Sequence, residues 1–169
     1  MLSVIPQATA RGTRSGDMHL HVALKAAGKA KGEARAEGHE DDIEVLAWRW
    51  GASAVTAVGT SAGTARRAYK HLTVVKALDS ASTVLLTALK SNDEVSEARL
   101  TMRKTGGDPQ GYFHLVLGGA RVASIDYSAD ESGVVSEVLT LSFASVKLEY
   151  RPQQEGGLLG PSHVFDDKV

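Results

Sequence analysis

Gly59-Thr60-Ser61-Ala62-Gly63 is a literal G-x-S-x-G, the spacing with which hydrolases strain a strand-to-helix turn and present a serine hydroxyl to substrate. That elbow needs a parallel α/β sheet, a helix after the serine, and then an acid and a histidine along the chain. Here the next segment soon returns to strand-like sequence, and the main histidine remaining is His163, in a loose polar tail. A flexible loop is the favoured reading, and Ser61 is not assigned as a nucleophile. His19 and His21 stand two apart on the polar face of a strand, a spacing that can share a metal. His114 and the Glu40-Asp41-Asp42 run are available, but the sequence places no third ligand, and two exposed histidines are the simpler reading. Gly28-Lys29 lacks the upstream glycine and the following Ser or Thr of a phosphate loop. Glu40-Asp41-Asp42 reads as a solvated turn. No catalytic residue, metal site or cofactor is expected.

The scaffold behind these residues reads as β-strands with one helix. Met18 to Leu24 alternates strictly, with Met18, Leu20, Val22 and Leu24 opposed to His19, His21 and Ala23. Ala26 to Asp42 carries glycines at 28, 32 and 38, each costing about 1 kcal/mol in a helix, so it reads as a long hairpin connection. Ile43 to Gly51 reads as one strand holding both tryptophans. Alternation puts Leu46, Trp48 and Trp50 on one face and Ile43, Val45, Ala47 and Arg49 on the other. The Trp face, with Phe143, should anchor the core, and the apolar Ile43/Val45 face should be covered by a partner subunit.

A Gly/Ser/Thr/Ala loop follows from Ala52 to about Ala68, then a strand from His71 to Leu78. The spacing predicts a helix over Ala81 to Lys90, capped by Asp79 or Ser80, with Val84, Leu85, Ala88 and Leu89 as its stripe. Further strands are expected at Ala98–Lys104, Tyr112–Leu117, Arg121–Tyr127 and Val135–Tyr150, with turns at Gly106-Gly107-Asp108-Pro109 and Gly118-Gly119. In the last strand Leu139, Leu141 and Phe143 share one face, while Ala144, Val146, Leu148 and Tyr150 continue on the other. Such a phase change predicts a β-bulge and hence a barrel corner. The fold class expected is a mainly β protein: a small barrel of antiparallel strands with one flanking helix.

At 169 residues, 43% apolar and 23% charged, the chain fits one soluble domain. A net charge of -1 favours neither nucleic acid nor an acidic membrane, and the absence of cysteine excludes disulfides and thiol chemistry. No run near the start has a signal-peptide core, and no window approaches a membrane span. Residues 1–16 read as a flexible arm, 17–153 as the barrel domain, and 154–169 as a flexible tail.

Several motifs occur in a familiar order: Asp17-Met18, Lys31-Gly32-Glu33, Ile43-x-Val45-Leu46-Ala47-Trp48-x-Trp50-Gly51 and Leu100-Thr101-x-Arg103-Lys104-x-Gly106-Gly107. Leu139-Thr140-Leu141-x-Phe143-Ala144-x-Val146-x-x-x-Tyr150-x-Pro152-Gln153 completes the set. Over roughly Asp17 to Gln153 the chain resembles the Hcp family, the haemolysin-coregulated tube proteins of bacterial type VI secretion systems. The resemblance implies a homohexameric ring that stacks into a hollow tube inside a contractile sheath. It also implies a spike protein at the tip and effector cargo in the lumen. It implies a protein made in the bacterial cytoplasm and secreted by that system without a signal peptide. By the same resemblance Arg49 faces the lumen. Ser53, Thr56, Thr60, Ser61, Thr64, Arg66 and Arg67 belong to a loop that reaches the next ring, with Arg66 and Arg67 placed to pair with that ring's acids. The other readings open at this stage are a monomeric ligand-binding barrel and a serine hydrolase using Ser61.

Overall fold

The computed structural model describes residues 16–55, 66–104 and 108–169. Its elements are β1 (Gly16–Leu24), β2 (Gly28–Lys29), β3 (Ile43–Glu44), β4 (Ala47–Arg49), β5 (Ala52–Val55), β6 (Arg66–Tyr69), β7 (Leu72–Ala77), α1 (Ser82–Ser91), β8 (Glu94–Lys104), β9 (Phe113–Ala129), β10 (Val135–Ser142), β11 (Ser145–Tyr150) and β12 (His163–Lys168). β1, β8, β9, β10, β7 and β4 lie side by side in that order, all antiparallel. β3, immediately before β4 in the chain, pairs back onto β1. Residues 43–49 therefore shut the sheet into a barrel, with ladders to β1 on one side and β7 on the other.

This closure corrects the reading of Ile43–Gly51 as a single strand. The chain changes partner at its middle, where Val45 N–H donates to Met18 O (3.0 Å) and Leu46 N–H to Val75 O (2.8 Å). The exchange shifts the alternation by one residue. Ile43 and Val45, both 0% exposed, point into the barrel before it, and Trp48 and Trp50 pack against the same core after it. The expected partner-covered Ile43/Val45 face is sealed by the chain's own strands. The expected aromatic core is also corrected. Leu20, Leu72, Leu100, Leu115, Leu117, Leu139 and Leu141 fill its centre, while Trp48, Trp50 and Phe143 are half-buried around it. Trp48 stacks on Phe113 (5.4 Å between ring centroids), and its indole N–H donates to Met102 Sδ (3.1 Å).

Gly118-Gly119 is not a turn between strands; it lies inside the single strand β9. A side chain at Gly118 would meet Ser145 Oγ at 2.5 Å, and Gly119 has φ +56°, so two glycines let the strand bend while still paired. Opposite them the expected last strand is interrupted at Phe143-Ala144, which separates β10 from β11. Both arms of this long hairpin turn the corner together. Beyond it β9 exchanges β10 for β11 as its neighbour. The phase change read from the sequence sits at this interruption. A register shift between Thr140 and Leu141 lies just ahead of it.

The tail expected to be flexible from residue 154 instead returns as β12, paired with β11 from Tyr150↔His163 to Ser145↔Lys168. Residues 1–15 of the expected arm and Gly106-Gly107 of the expected turn lie outside the described residues, while Gly16 opens β1. α1 begins one residue later than expected and buries Ser82, Leu85 and Ala88. It ends at Asn92 in the left-handed conformation (φ 54°).

Two buried polar groups brace the barrel. Lys76 and Glu137, both 0% exposed, lie on the inward faces of β7 and β10. The Lys76 ammonium reaches Glu137 Oε2 (3.1 Å), Asp79 Oδ1 (2.7 Å) and Ser82 Oγ (3.0 Å), fastening the start of α1 to the wall. Residues 31–42 fold over β1. His39 bridges Asp42 Oδ2 (3.1 Å) and the Pro109 carbonyl (2.8 Å). The Asp42 carboxylate also receives Lys29 (2.8 Å) and His21 (3.1 Å). His19 is stacked under His39 at 4.5 Å and only 4% exposed, which corrects its reading as a surface residue. Burial, reinforced by nearby His39 and Arg103, pushes the His19 imidazole down to about 4. Burial pushes the Asp42 carboxyl up, but hydrogen bonds from Lys29, His39 and His21 outweigh it and hold the group below its usual range.

Removing one member of a buried ion pair strands the other. Lys76→Met should therefore lower the unfolding free energy by about 3–5 kcal/mol. Lys76→Met with Glu137→Leu should recover most of that loss, in denaturant titrations at fixed protomer concentration. For His19 the folded-state value lies below the unfolded one. Between pH 6.5 and about 4 the unfolded chain takes up a proton that the folded chain refuses. Stability should fall as pH drops through that window, by roughly 3 kcal/mol at most from this group. His19→Leu should flatten the decline; an unchanged pH profile would contradict the assignment.

Candidate functional site

β5 and β6 form a two-stranded sheet of their own, with register from Ala52↔Tyr69 to Val55↔Arg66. Every residue of β5 is exposed, as are Arg66, Arg67 and Ala68. This ribbon occupies both ends of the segment read from the sequence as a loop. Ala and Ser are weak strand formers, so no alternation announced it. Of the residues expected in the ring-contacting loop, Ser53, Arg66 and Arg67 lie on the ribbon. Thr56, Thr60, Ser61 and Thr64 lie outside the described residues.

The base of the ribbon is tied to the barrel. Lys70 N–H donates to Gly51 O (2.9 Å), and Trp50 and Tyr69 stack with their rings 7° from parallel, centroids 6.1 Å apart. The Tyr69 hydroxyl donates to Asp167 Oδ2, and Arg67 Nε lies 3.3 Å from the same oxygen. The Tyr69 contact holds the Asp167 carboxyl below the usual carboxylate range, and the Tyr69 hydroxyl is pushed up in return. Arg67, expected to seek an acid on a neighbouring ring, thus has one in its own chain. Sequence reasoning missed Asp167 because it lies in the segment dismissed as tail.

Arg49 is exposed, on the face of β4 opposite the tryptophans. The ladders place it in one cross-strand row with Thr73, Thr140 and Ser124. Apart from Arg49, that row carries short side chains, so this flank of the barrel is flat. The outer face of β8, β9 and β11 is different. It holds a groove of about 570 Å³ lined by His39, Arg99, Thr101, His114, Lys147 and Glu149 among others. Ion pairs run through this region: Arg99–Glu97 at 2.5 Å and Arg151–Glu149 at 2.9 Å.

The strands flanking Gly59–Gly63 pair with each other antiparallel, whereas a nucleophile elbow passes from a strand into a helix. His19 and His21 are turned to His39 and Asp42. Among the described residues no group of three or more His, Cys, Asp or Glu is arranged to hold a metal ion. No described helix is long and apolar enough to cross a membrane.

Comparison with known proteins gives this architecture its context. Residues 23–150 match the family described as "Type VI secretion system effector, Hcp". The chain is 34% identical over 136 residues to Protein hcp1 of Pseudomonas aeruginosa, covering 77% of this chain and 83% of that protein. Its fold superposes on the crystal structure of Hcp1 from Salmonella typhimurium with TM-score 0.73 and 25% identity, over 92% of this chain and 95% of the other. A second solved structure, described as a type six secretion system protein, matches with TM-score 0.79 and 23% identity, over 90% and 96% of the two chains. A self-closed antiparallel barrel with a flanking helix, matched along most of its length, belongs to the Hcp family of type VI secretion, and the chain is a structural subunit of that system's tube.

Proposed function

We propose that six copies of this chain close into a ring, and that rings stack into a tube driven outward by a contractile sheath behind a spike protein, with effectors in the lumen. The observation that carries this reading is the family match over 23–150 on a barrel that completes its own core yet bears a separate exposed ribbon. A head-to-tail contact that closes on itself gives a ring, and an axial contact repeated between rings gives a tube. Because Ile43 and Val45 are already buried, ring contacts come from outer surfaces rather than from an unfinished core. The protein starts in the bacterial cytoplasm and leaves through the type VI machinery without a cleaved signal. Its role is structural, not catalytic.

The ribbon and the residues between its strands supply the axial contact, and the flat flank carrying Arg49 lines the channel. Support for the second assignment is the row of short Thr and Ser side chains beside Arg49, which leaves room for cargo. Six arginines around a lumen would favour acidic cargo, and the preference would weaken with salt.

Native mass measurement should give a six-fold multiple of the protomer; a lone protomer at micromolar concentration would overturn the ring. Deleting Thr60 to Thr64 should leave that mass unchanged apart from the missing residues, yet reduce stacked tubes several-fold in electron micrographs. Loss of the hexamer instead would mean that this segment belongs to the lateral contact. Arg49→Ser should lower retention of acidic cargo several-fold at low salt and change it little at high salt, and equal retention at both would remove Arg49 from the lumen.

A further inference from the structure

We infer that Asp167 is a positioning residue for the ribbon: from the C-terminal strand its carboxylate fixes how β5–β6 leaves the barrel, so that β12 governs how one ring meets the next. The second half rests on the proposed role of the ribbon in ring stacking; the first does not.

A two-stranded hairpin is marginal on its own, and this one pairs with no other strand among the described residues. With β5 wholly exposed, no apolar face of that strand presses the ribbon against the barrel. Its direction must be set at its base, where Lys70 N–H closes the ribbon on Gly51 O, Tyr69 packs against Trp50 and the core, and Asp167 meets β6. The Trp50–Tyr69 stack resists separation of the two rings but lets them slide and turn in plane. Asp167 supplies the missing restraint. Arg67 and Tyr69 are two apart on β6 and so share a face, and both reach the same carboxylate oxygen. Gripping two successive same-face positions fixes both height and tilt.

Asp167 is well placed for this. The register pairs it with Val146, which is 2% exposed, so its side chain lies on the inward face of the edge strand. Its side chain is only 18% exposed, and Lys168 N–H donates to its other oxygen at 2.9 Å. An inward charge on an edge strand also discourages strand addition, a purely structural role that has to be separated from positioning.

Hydrogen exchange on purified rings makes the separation. In Asp167→Ala the amides of residues 52–55 and 66–69 should exchange several-fold faster, while those of β8 and β9 keep their rates. Asp167→Glu should restore most of the protection. Tyr69→Phe, which keeps the stack and removes one donor, should give an intermediate rise. Unchanged ribbon exchange in both Asp167→Ala and Tyr69→Phe overturns the inference, as does faster exchange spread evenly over the barrel. Counting stacked rings in the same preparations tests the coupling to assembly, with a several-fold fall expected for Asp167→Ala. Faster ribbon exchange with stacking unchanged would leave Asp167 as the ribbon's anchor but refute its control of stacking, and the fault would then lie with the ribbon's proposed role.

Discussion

Everything in this fold depends on one seven-residue segment, residues 43–49, that pairs first with β1 and then with β7. An antiparallel sheet that does not close exposes an edge of unpaired amides and carbonyls at each side. Here no single strand pairs with both β1 and β7: β3 takes the first and β4 the second. The chain meets the constraint by changing partners between Val45 and Leu46. The change costs little hydrogen bonding, since both amides at the crossing find a carbonyl. Its consequence for packing is larger: Ile43 and Val45 before the crossing enter the core, and Trp48 and Trp50 after it pack against the same core. Burial of Ile43, Val45 and much of two tryptophans then stabilises the closure that made it possible.

The second constraint is the corner at Gly118-Gly119 and Phe143-Ala144. A hairpin as long as β9 with β10 and β11 would carry its twist far past the barrel wall. Bending at the glycines lets its first part close the barrel through β10 and β7. The rest reaches out to β12. That outer extension places a carboxylate beside the ribbon. The corner therefore links two features that the sequence keeps almost a hundred residues apart, Tyr69 and Asp167.

What could be read in advance follows from the range of the interactions involved. β1, β7, β8 and α1 were legible because hydrophobic periodicity within a few residues determines them, as in the alternation of Leu20, Val22 and Leu24. The phase change near Phe143 was legible too, as a break in that same local pattern. The faces of Ile43–Trp50 were misjudged because alternation assumes one partner per strand, and the exchange at Val45 is visible only once β1 and β7 are in place. Gly118-Gly119 reads as a turn in any single sequence; its pairing with Ser145 and Ala144 makes it a bend. Lys76 and Glu137 look like ordinary surface charges, since nothing local says that sixty residues later an opposite charge waits on the same inward face. The family was nonetheless recognisable, because its motifs sit at these structural junctions: the crossing strand, the strand paired with β1, and the Phe143-Ala144 side of the corner.

A protomer that finishes its own core must assemble through its outer surface, where apolar side chains such as Tyr127, Val134, Leu158, Val164 and Phe165 stand exposed among polar ones. Its contacts with other copies must resemble ordinary protein–protein interfaces, mixed in polarity and sensitive to how much freedom is lost on docking. Each side chain immobilised at an interface costs about 0.5–1.5 kcal/mol, and each backbone residue newly ordered about 1–2 kcal/mol. A ribbon free to swing would spend that cost at every ring added to a tube. Holding its base through an aromatic stack and a shared carboxylate moves the ordering into the folding of the protomer, where barrel burial offsets it. In the proposed stacking role, that anchoring sets where one ring meets the next.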